Sequence, residues 1–396
     1  MGLVYNMTTN TALQLTAAEQ ALGISLPHRR MEEWRWTDLR RAITKPYAKS
    51  DVKAAVPDVA RLLAASPFAK AAKARVVFVN GILDEAHSKI AGLDISNSVT
   101  VIELEDPLLA MNAKLKPKGV TLKFAGEAEQ AVEIVHVATN ASARAIGLYN
   151  AIEVTDGASA SVIETYLGEG DYMVNVVTSI TLGKGAHLDR LKLQNDSAAA
   201  THLSHVIYDL GENARLNDIT VTIGAALTRQ NGNCNFNGEN AEVKISGAYL
   251  QKNKQHVDTR LVINHAVPRC TSRELFKCVM DDNARGIFQG KVIVARDAQK
   301  TDGKQSSHAL LLSEFAEFDA KPELEIFADD VVCGHGATAG DLDHDHLFYL
   351  KSRGIPEAEA KSLLIAAFVG EAFDLVANDE ARKALVELAA KWVTGK

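Results

Sequence analysis

The sequence has few of the features that mark a secreted or membrane-spanning protein. Its four cysteines, Cys234, Cys270, Cys278 and Cys333, include no C-x-x-C pair, so neither a disulfide framework nor a self-contained zinc site is indicated. No apolar run approaches the roughly 20 residues that cross a bilayer, and the N-terminus has no signal-peptide hydrophobic region. These absences predict a cytoplasmic protein whose cysteines are thiols.

Excess positive charge and a nucleotide-binding loop are also missing. The 396-residue chain has a net charge of −7, which argues against a general binder of nucleic acid or anionic membranes. Lys184, Lys291 and Lys304 each follow a glycine, but none lies in the pattern G-x-x-x-x-G-K-[ST]. We therefore expect that the chain does not hydrolyse ATP itself.

What the sequence does contain is a turn that recurs every 27 or 28 residues. The four copies end in Ala158, Ala186, Ala214 and Ala241, each preceded by glycine or asparagine, and alternating apolar strands lie between them. A unit of this size cannot bury its apolar face alone, so successive units must stack. The spacing predicts a solenoid, specifically a right-handed parallel β-helix, with an evenly spaced β-sandwich as the alternative.

The pattern divides the chain into three predicted parts: a mixed, largely helical region over 1–119, the β-helix over 120–340 and a helical domain over 341–396. In the first part we expect a helix over 11–24, an alanine-rich helical stretch through Lys73, and a buried strand from Arg75 to a turn at Gly81. In the last part, one helix begins at Pro356 and another at about Asp379.

The helix after Pro356 carries a wide apolar stripe that could pack on the chain itself or bind another protein. The stripe consists of Leu363, Leu364, Ala367, Phe368, Ala372 and Phe373.

Cys333 and His335 form the most suggestive local pair for chemistry. Residues i and i+2 of a strand project from the same face, which places a thiol beside an imidazole. The pair could supply two metal ligands or a nucleophile and its base, and a lone cysteine can also be a buried apolar residue. Two ligands do not complete a four-coordinate shell, so a metal site here needs further ligands from elsewhere.

Several acidic turns offer weaker signals. The tract DLDHDH over 341–346 resembles a metal site, yet it lies where strand gives way to helix, and capping is the favoured interpretation. The pairs Asp281-Asp282 and Asp329-Asp330 are turn residues that a carbohydrate-processing β-helix enzyme could use. Nothing in their spacing requires such an activity.

Five segments, taken in order along the chain, resemble the SufB/SufD family of iron-sulfur cluster assembly proteins. They are PHRRMEEWRWTDL (27–39), RGIFQG (285–290), TDGKQ (301–305), DDVVCGHGAT (329–338) and FYLKSRGI (348–355). The first resembles the N-terminal element of the SufD branch, with Trp36 in place of the usual tyrosine. The chain length and the glycines at 334 and 336 also favour SufD over SufB.

This resemblance implies a scaffold subunit that is not itself an enzyme. SufD-like chains form a parallel β-helix, pair through it with a SufB-like chain, and hold SufC, an ABC-type ATPase, at the C-terminal helices. By resemblance, His335 contributes to the nascent iron-sulfur cluster at the heterodimer interface, opposite a SufB cysteine, which makes Cys333 doubtful as a ligand. Reduced flavin in the assembled complex and a homodimer of the isolated chain are further expectations.

The C-terminal helical module is the part we expect to contact the ATPase. The best candidates for contact are Phe348, Tyr349, Arg353 and the helix beginning at Pro356. Two other classes of protein stay open at this point, a carbohydrate-active β-helix enzyme and a purely structural, self-associating solenoid.

Overall fold

The computed structural model describes residues 15–49, 59–90, 93–96, 106–127, 131–139 and 144–394. The α-helices in these ranges are α1 (Ala17–Leu22), α2 (Leu39–Ala42), α3 (Val59–Ala64), α4 (Pro107–Leu115), α5 (His344–Ser352), α6 (Glu357–Phe373) and α7 (Asp379–Thr394), and Glu32–Trp34 forms a 3₁₀ turn. None of the described helices is long and apolar enough to cross a membrane.

Twenty strands lie in the same described ranges. They are β1 (Ala48–Lys49), β2 (Ala72–Val79), β3 (Ile82–Leu83), β4 (Asp94–Ser96), β5 (Lys118–Phe124), β6 (Ala131–Ala138), β7 (Arg144–Val154), β8 (Ser159–Gly168), β9 (Tyr172–Leu182), β10 (His187–Asn195), β11 (Thr201–Leu210), β12 (Arg215–Thr222), β13 (Leu227–Phe236), β14 (Glu242–Gln251), β15 (His256–His265), β16 (Thr271–Met280), β17 (Arg285–Val294), β18 (Asp302–Leu311), β19 (Glu317–Ile326) and β20 (Val332–Gly340).

The strands form two long sheets, and from β5 onward consecutive strands alternate between them. Sheet A has the order β19-β17-β15-β13-β11-β9-β7-β5-β4, with β1 beside β7, and sheet B has the order β20-β18-β16-β14-β12-β10-β8-β6-β2-β3. Every pairing is parallel except β2 with β3 and β4 with β5. This architecture confirms the predicted parallel β-helix and rules out the antiparallel sandwich.

The recurring turn forms one corner of successive coils. Ala158, Ala186, Ala214 and Ala241 are all fully buried there. Gly211 N donates to Leu182 O at 2.8 Å, and a Cβ on Gly238 would lie 2.1 Å from Glu212 N. Small residues are needed because each corner packs directly on the backbone of the corner below.

The N-terminal third differs in part from the sequence prediction. Helix α1 lies within the predicted 11–24, with Thr16 and Glu19 forming a capping box, while residues 11–14 fall outside the described ranges. The alanine-rich helical stretch predicted through about Lys73 was wrong only in its last part: Val59–Ala64 is helix α3, but Ala72–Val79 is strand β2, which pairs in parallel with β6. Pairing with a neighbouring strand overrides the helix propensity of alanine.

The C-terminal helices pack on the outer face of sheet B. Ile365, Val369 and Phe373 of α6 are buried in one cluster with apolar residues of that sheet, such as Leu250 and Val279. The predicted stripe is divided between the two uses left open for it: Ala372 and Phe373 are buried, but Leu363 and Ala367 are exposed. The two flanks of α6 are similarly apolar, so periodicity alone could not identify the flank that contacts the sheet. The domain boundaries at 119/120 and 340/341 stay predictions.

Candidate functional site

The solenoid ends in a coil whose two strands are each paired on one side only. Strand β19 pairs only with β17, and β20 only with β18, among the described strands. We call β19, β20 and the turns next to them the open end. Four large apolar side chains are exposed there, namely Phe315 (68%), Ile326 (40%), Phe327 (63%) and Val332 (61%).

Cys333 and His335 lie on β20 and project from the same face, toward the interior of the solenoid. Their register partners on β18 are Gly303 and Gln305, both buried. Residues in register on adjacent strands point the same way, so the thiol and the imidazole also face inward. Because no further coil lies above β20 in the described chain, His335 nevertheless remains exposed to solvent.

The surroundings of Cys333 disfavour its thiolate. Burial raises the pKa of the half-buried thiol, and the carboxyl groups of Asp302 and Glu274 raise it further, whereas a backbone hydrogen bond at Gly303 lowers it in part. Metals bind the thiolate rather than the thiol. Metal binding at Cys333 would therefore have to displace the thiol proton. The other three cysteines are buried, and all four are free thiols.

Two polar side chains occupy the same inward-facing column as His335, one and two strands below it. Gln305 of β18 pairs in register with His335, and Glu274 of β16 pairs in register with Gln305. Both Glu274 oxygens and Gln305 Oε1 are buried without a hydrogen-bond partner among the described residues. Sequence reasoning missed this column, although Gln305 lies in one of the family-like segments.

The charge state of Glu274 follows from its burial. Desolvation raises the pKa of this carboxyl to about 8, and the nearby Ser272 hydroxyl, which pairs with His265 Nε2 at 3.1 Å, offsets the shift only in part. Glu274 therefore holds a proton near neutral pH.

The acidic turns have structural partners. Asp343 Oδ1 accepts hydrogen bonds from Asp345 N and His346 N, both at 2.9 Å, and so caps α5. Asp282 Oδ2 accepts from Asn253 N at 3.0 Å, and Asp330 pairs with Lys300. Within the described ranges, no group of three His, Cys, Asp or Glu side chains is arranged to hold a metal ion.

The residues predicted to contact a partner lie on α5 and at the start of α6. Phe348 is 73% exposed and Tyr349 is 55% exposed, and the Arg353 guanidinium lies 5.1 Å from the Tyr349 ring centre. Pro356 directly precedes α6 as its N-cap. Leu363, on the solvent side of α6, is 47% exposed. We call Phe348, Tyr349 and Leu363 the helical apolar surface.

Comparison with known proteins identifies the family. Residues 134–368 match the family described as SUF system FeS cluster assembly, SufBD core domain. The chain is 29% identical to the iron-sulfur cluster assembly protein SufD of Escherichia coli, over 89% of this chain and 86% of that protein. It is also 29% identical to an iron-sulfur cluster assembly SufBD family protein of Synechocystis, over 91% and 86%. The chloroplastic protein ABCI7 of Arabidopsis thaliana is 32% identical over 58% of this chain and 49% of its own length.

Proposed function

The chain belongs to the SufB/SufD family of iron-sulfur cluster assembly proteins and is of the SufD type, and on this premise we propose that it is a non-catalytic scaffold subunit. It pairs with a SufB-like chain through the open end and binds a SufC-like ABC ATPase through its C-terminal helices. Iron and sulfide are the substrates assembled on the complex. The cytoplasm is the proposed compartment.

The observation that carries this proposal is the position of His335. The imidazole faces inward on an edge strand. Strand β18 lies on one side of it, and the other side is free to contact a second chain that pairs with β20. Neutral imidazole is a good iron ligand. No group of three His, Cys, Asp or Glu side chains in the described ranges is arranged to hold a metal ion, which supports ligands from a second chain. We propose that a SufB-like cysteine is one of them.

Pairing through the open end is supported by its exposed edges and apolar residues. Edge strands present unpaired backbone groups that favour pairing with another chain. Exposed Phe327 and Val332 flank the start of β20 and add apolar area of the kind that interfaces bury. A second chain stacked here would cover His335 and remove it from solvent.

Docking of the ATPase is supported by the helical apolar surface. Sheet B buries one side of α6 and leaves Leu363 in solvent, while α5 exposes Phe348 and Tyr349. Aromatic side chains that are exposed in the free protein are typical anchors of protein interfaces. The purely structural alternative predicts no affinity of this surface for an ATPase. Reduced flavin stays an expectation, and no part of the proposal depends on it.

The test replaces His335 by Ala in the complex of this chain with its SufB-like and SufC-like partners. The complex should form normally, because the change only shortens one side chain of a larger interface, but iron and sulfide bound per complex should fall at least tenfold. His308→Ala is the matched control, since His308 lies on β18 and bonds Thr338 Oγ1 at 2.8 Å on the outer face. Normal cluster formation by the His335 variant would refute the proposal.

A further inference from the structure

Three of the segments that resemble the family converge beneath His335. Gly290 is the last residue of RGIFQG and lies on β17 of sheet A. Gln305 is the last residue of TDGKQ and lies on β18 of sheet B. His335 lies in DDVVCGHGAT, on β20, directly above Gln305 in register. Segments that are separate in sequence thus meet at one level of the solenoid interior.

Gly290 creates the space that Gln305 occupies. A Cβ at Gly290 would lie 2.0 Å from Gln305 Oε1 and 2.9 Å from a ring carbon of Phe288. Without a side chain at 290, the amide of Gln305 reaches across the interior to sheet A, where its Nε2 donates to Glu323 O at 3.3 Å. The amide is therefore held directly below the open end.

The amide oxygen of Gln305 still needs a donor. It is buried and accepts no hydrogen bond from the described residues, and buried polar atoms are rarely left in that state. When one nitrogen of a neutral imidazole binds a metal, the other carries a proton and is a donor. His335 lies one strand above its register partner Gln305, at a spacing of roughly 4.8 Å between strands, so its inward N–H would be directed into the part of the interior that the Gln305 amide spans.

We propose that Gln305 is the positioning residue of the His335 site: its Oε1 accepts the inward ring N–H, which fixes the tautomer and directs the other nitrogen outward to iron. The inference rests on the proposed role of His335 as an iron ligand. Glu274 lies one strand below Gln305 in the same register, and its carboxyl oxygens also have no hydrogen-bond partner among the described residues. A glutamine that merely filled the interior would require only its volume at this position.

The experiment compares variants in the complex with the SufB-like and SufC-like partners. Gln305→Met keeps the length of the side chain and removes the acceptor. We expect normal complex formation, an affinity for Fe²⁺ about tenfold or more weaker, as is usual when the outer partner of a ligating histidine is lost, and a matching loss of cluster. Ser307→Ala is the control, because Ser307 is buried on the same strand and face but lies below Ala337.

A second variant keeps the test decisive if methionine disturbs folding. The exchange Glu274→Gln with Gln305→Glu retains an acceptor oxygen at both positions and should restore iron affinity to within about threefold of the unmodified complex. Loss of cluster in His335→Ala, with normal Fe²⁺ affinity in Gln305→Met, would overturn this inference and leave the proposed function intact. A folded exchange variant without iron affinity would also overturn it. Normal assembly by His335→Ala would instead remove the proposed function.

Discussion

Trp34 and Arg229 form a buried contact in which the guanidinium carbon lies 4.4 Å from the indole ring centre. Trp34 belongs to the N-terminal segment that resembles the SufD branch, and Arg229 lies on β13 of sheet A. Arg229 also donates to Glu33 O at 2.9 Å and pairs with Asp258. These contacts show how the N-terminal segment is fixed to the solenoid.

Replacing Trp34 by Ala should lower the free energy of unfolding by about 3–5 kcal/mol, the usual cost of removing a buried aromatic side chain. The loss exposes the Arg229 guanidinium, which is fully buried in the native chain. Urea unfolding followed by far-UV circular dichroism measures the change. Trp36→Ala is the control, because Trp36 is only half-buried and should cost less than half as much. Equal effects of the two variants would contradict this account.

Gly238→Ala should destabilise the solenoid by about 1–3 kcal/mol, because the new Cβ meets backbone atoms of Glu212 and Gly211 at 2.1–2.6 Å. The flexible end of a side chain could move aside, but the corner of a neighbouring coil cannot. Gly336→Ala serves as the comparison, since nothing lies within 4 Å of its added methyl group. Thermal unfolding of the two variants should differ by several degrees, and identical midpoints would contradict the stacked-corner explanation.

Glu274→Gln should flatten the pH dependence of stability. The unfolded carboxyl loses its proton near pH 4.5 and the folded one near pH 8. Between these values the folded state binds more protons, so native stability falls as pH rises, by about 1.4 kcal/mol per unit from this group. Denaturant unfolding at pH 5 and pH 8 should show a smaller difference for the variant than for the unmodified chain. The exposed Glu314→Gln should leave the difference unchanged.

Cys333→Ala should have a small effect on cluster assembly and reduce the iron bound per complex by less than about twofold. Burial raises the pKa of this thiol and its side chain packs against the apolar interior, so we expect it to contribute packing. Iron and sulfide analysis of the complex, beside His335→Ala, measures the effect. A loss as large as that of the histidine variant would mean that partner binding ionises the thiol.

Phe348→Ala should weaken binding of the SufC-like ATPase by about 2 kcal/mol, or roughly 30-fold, as expected for an exposed aromatic anchor. Isothermal titration calorimetry of the whole chain is the measurement. Val386→Ala is the control, because Val386 is 40% exposed on α7, outside the helical apolar surface. Deleting everything after Asp341 is a poorer test, since it would uncover the apolar outer face of sheet B. Equal affinities of the two point variants would place the dock elsewhere.

The repeat was predictable because small residues at one corner recur at nearly constant spacing. Ala158 through Ala241 show that spacing directly, whereas the next corner residue is Cys270, which follows Ala241 in register and carries no such signature. Coil lengths also increase toward the open end. The register of Glu274, Gln305 and His335 could not be derived from sequence, because it depends on how the longer turns distribute their extra residues.

Contacts between distant segments were equally beyond sequence reasoning. The N-terminal segment was recognised from its amino-acid sequence, yet nothing in that sequence indicates Arg229 as the partner of Trp34. The start of helix α6 was predicted to within one residue, but which of its two apolar flanks is buried depends on the shape of sheet B. Local sequence patterns therefore predicted most helices and strands. Which face of each helix is exposed depends on tertiary packing, which those patterns do not contain.

The asymmetry between the two ends of the solenoid limits how far assembly can grow. Among the described strands, both sheets end on the N-terminal side in the antiparallel strands β3 and β4, which offer only 2 and 3 residues for pairing, whereas β19 and β20 are parallel edge strands of 10 and 9 residues. A chain with one long pairing edge can bind a single neighbour through that edge. If the neighbour is a similar chain, its own long edge is used in the same contact, and no long edge remains for a third chain. If this end pairs as proposed, its contacts should yield closed pairs and not filaments, so that the parallel solenoid exposes edge strands without polymerising.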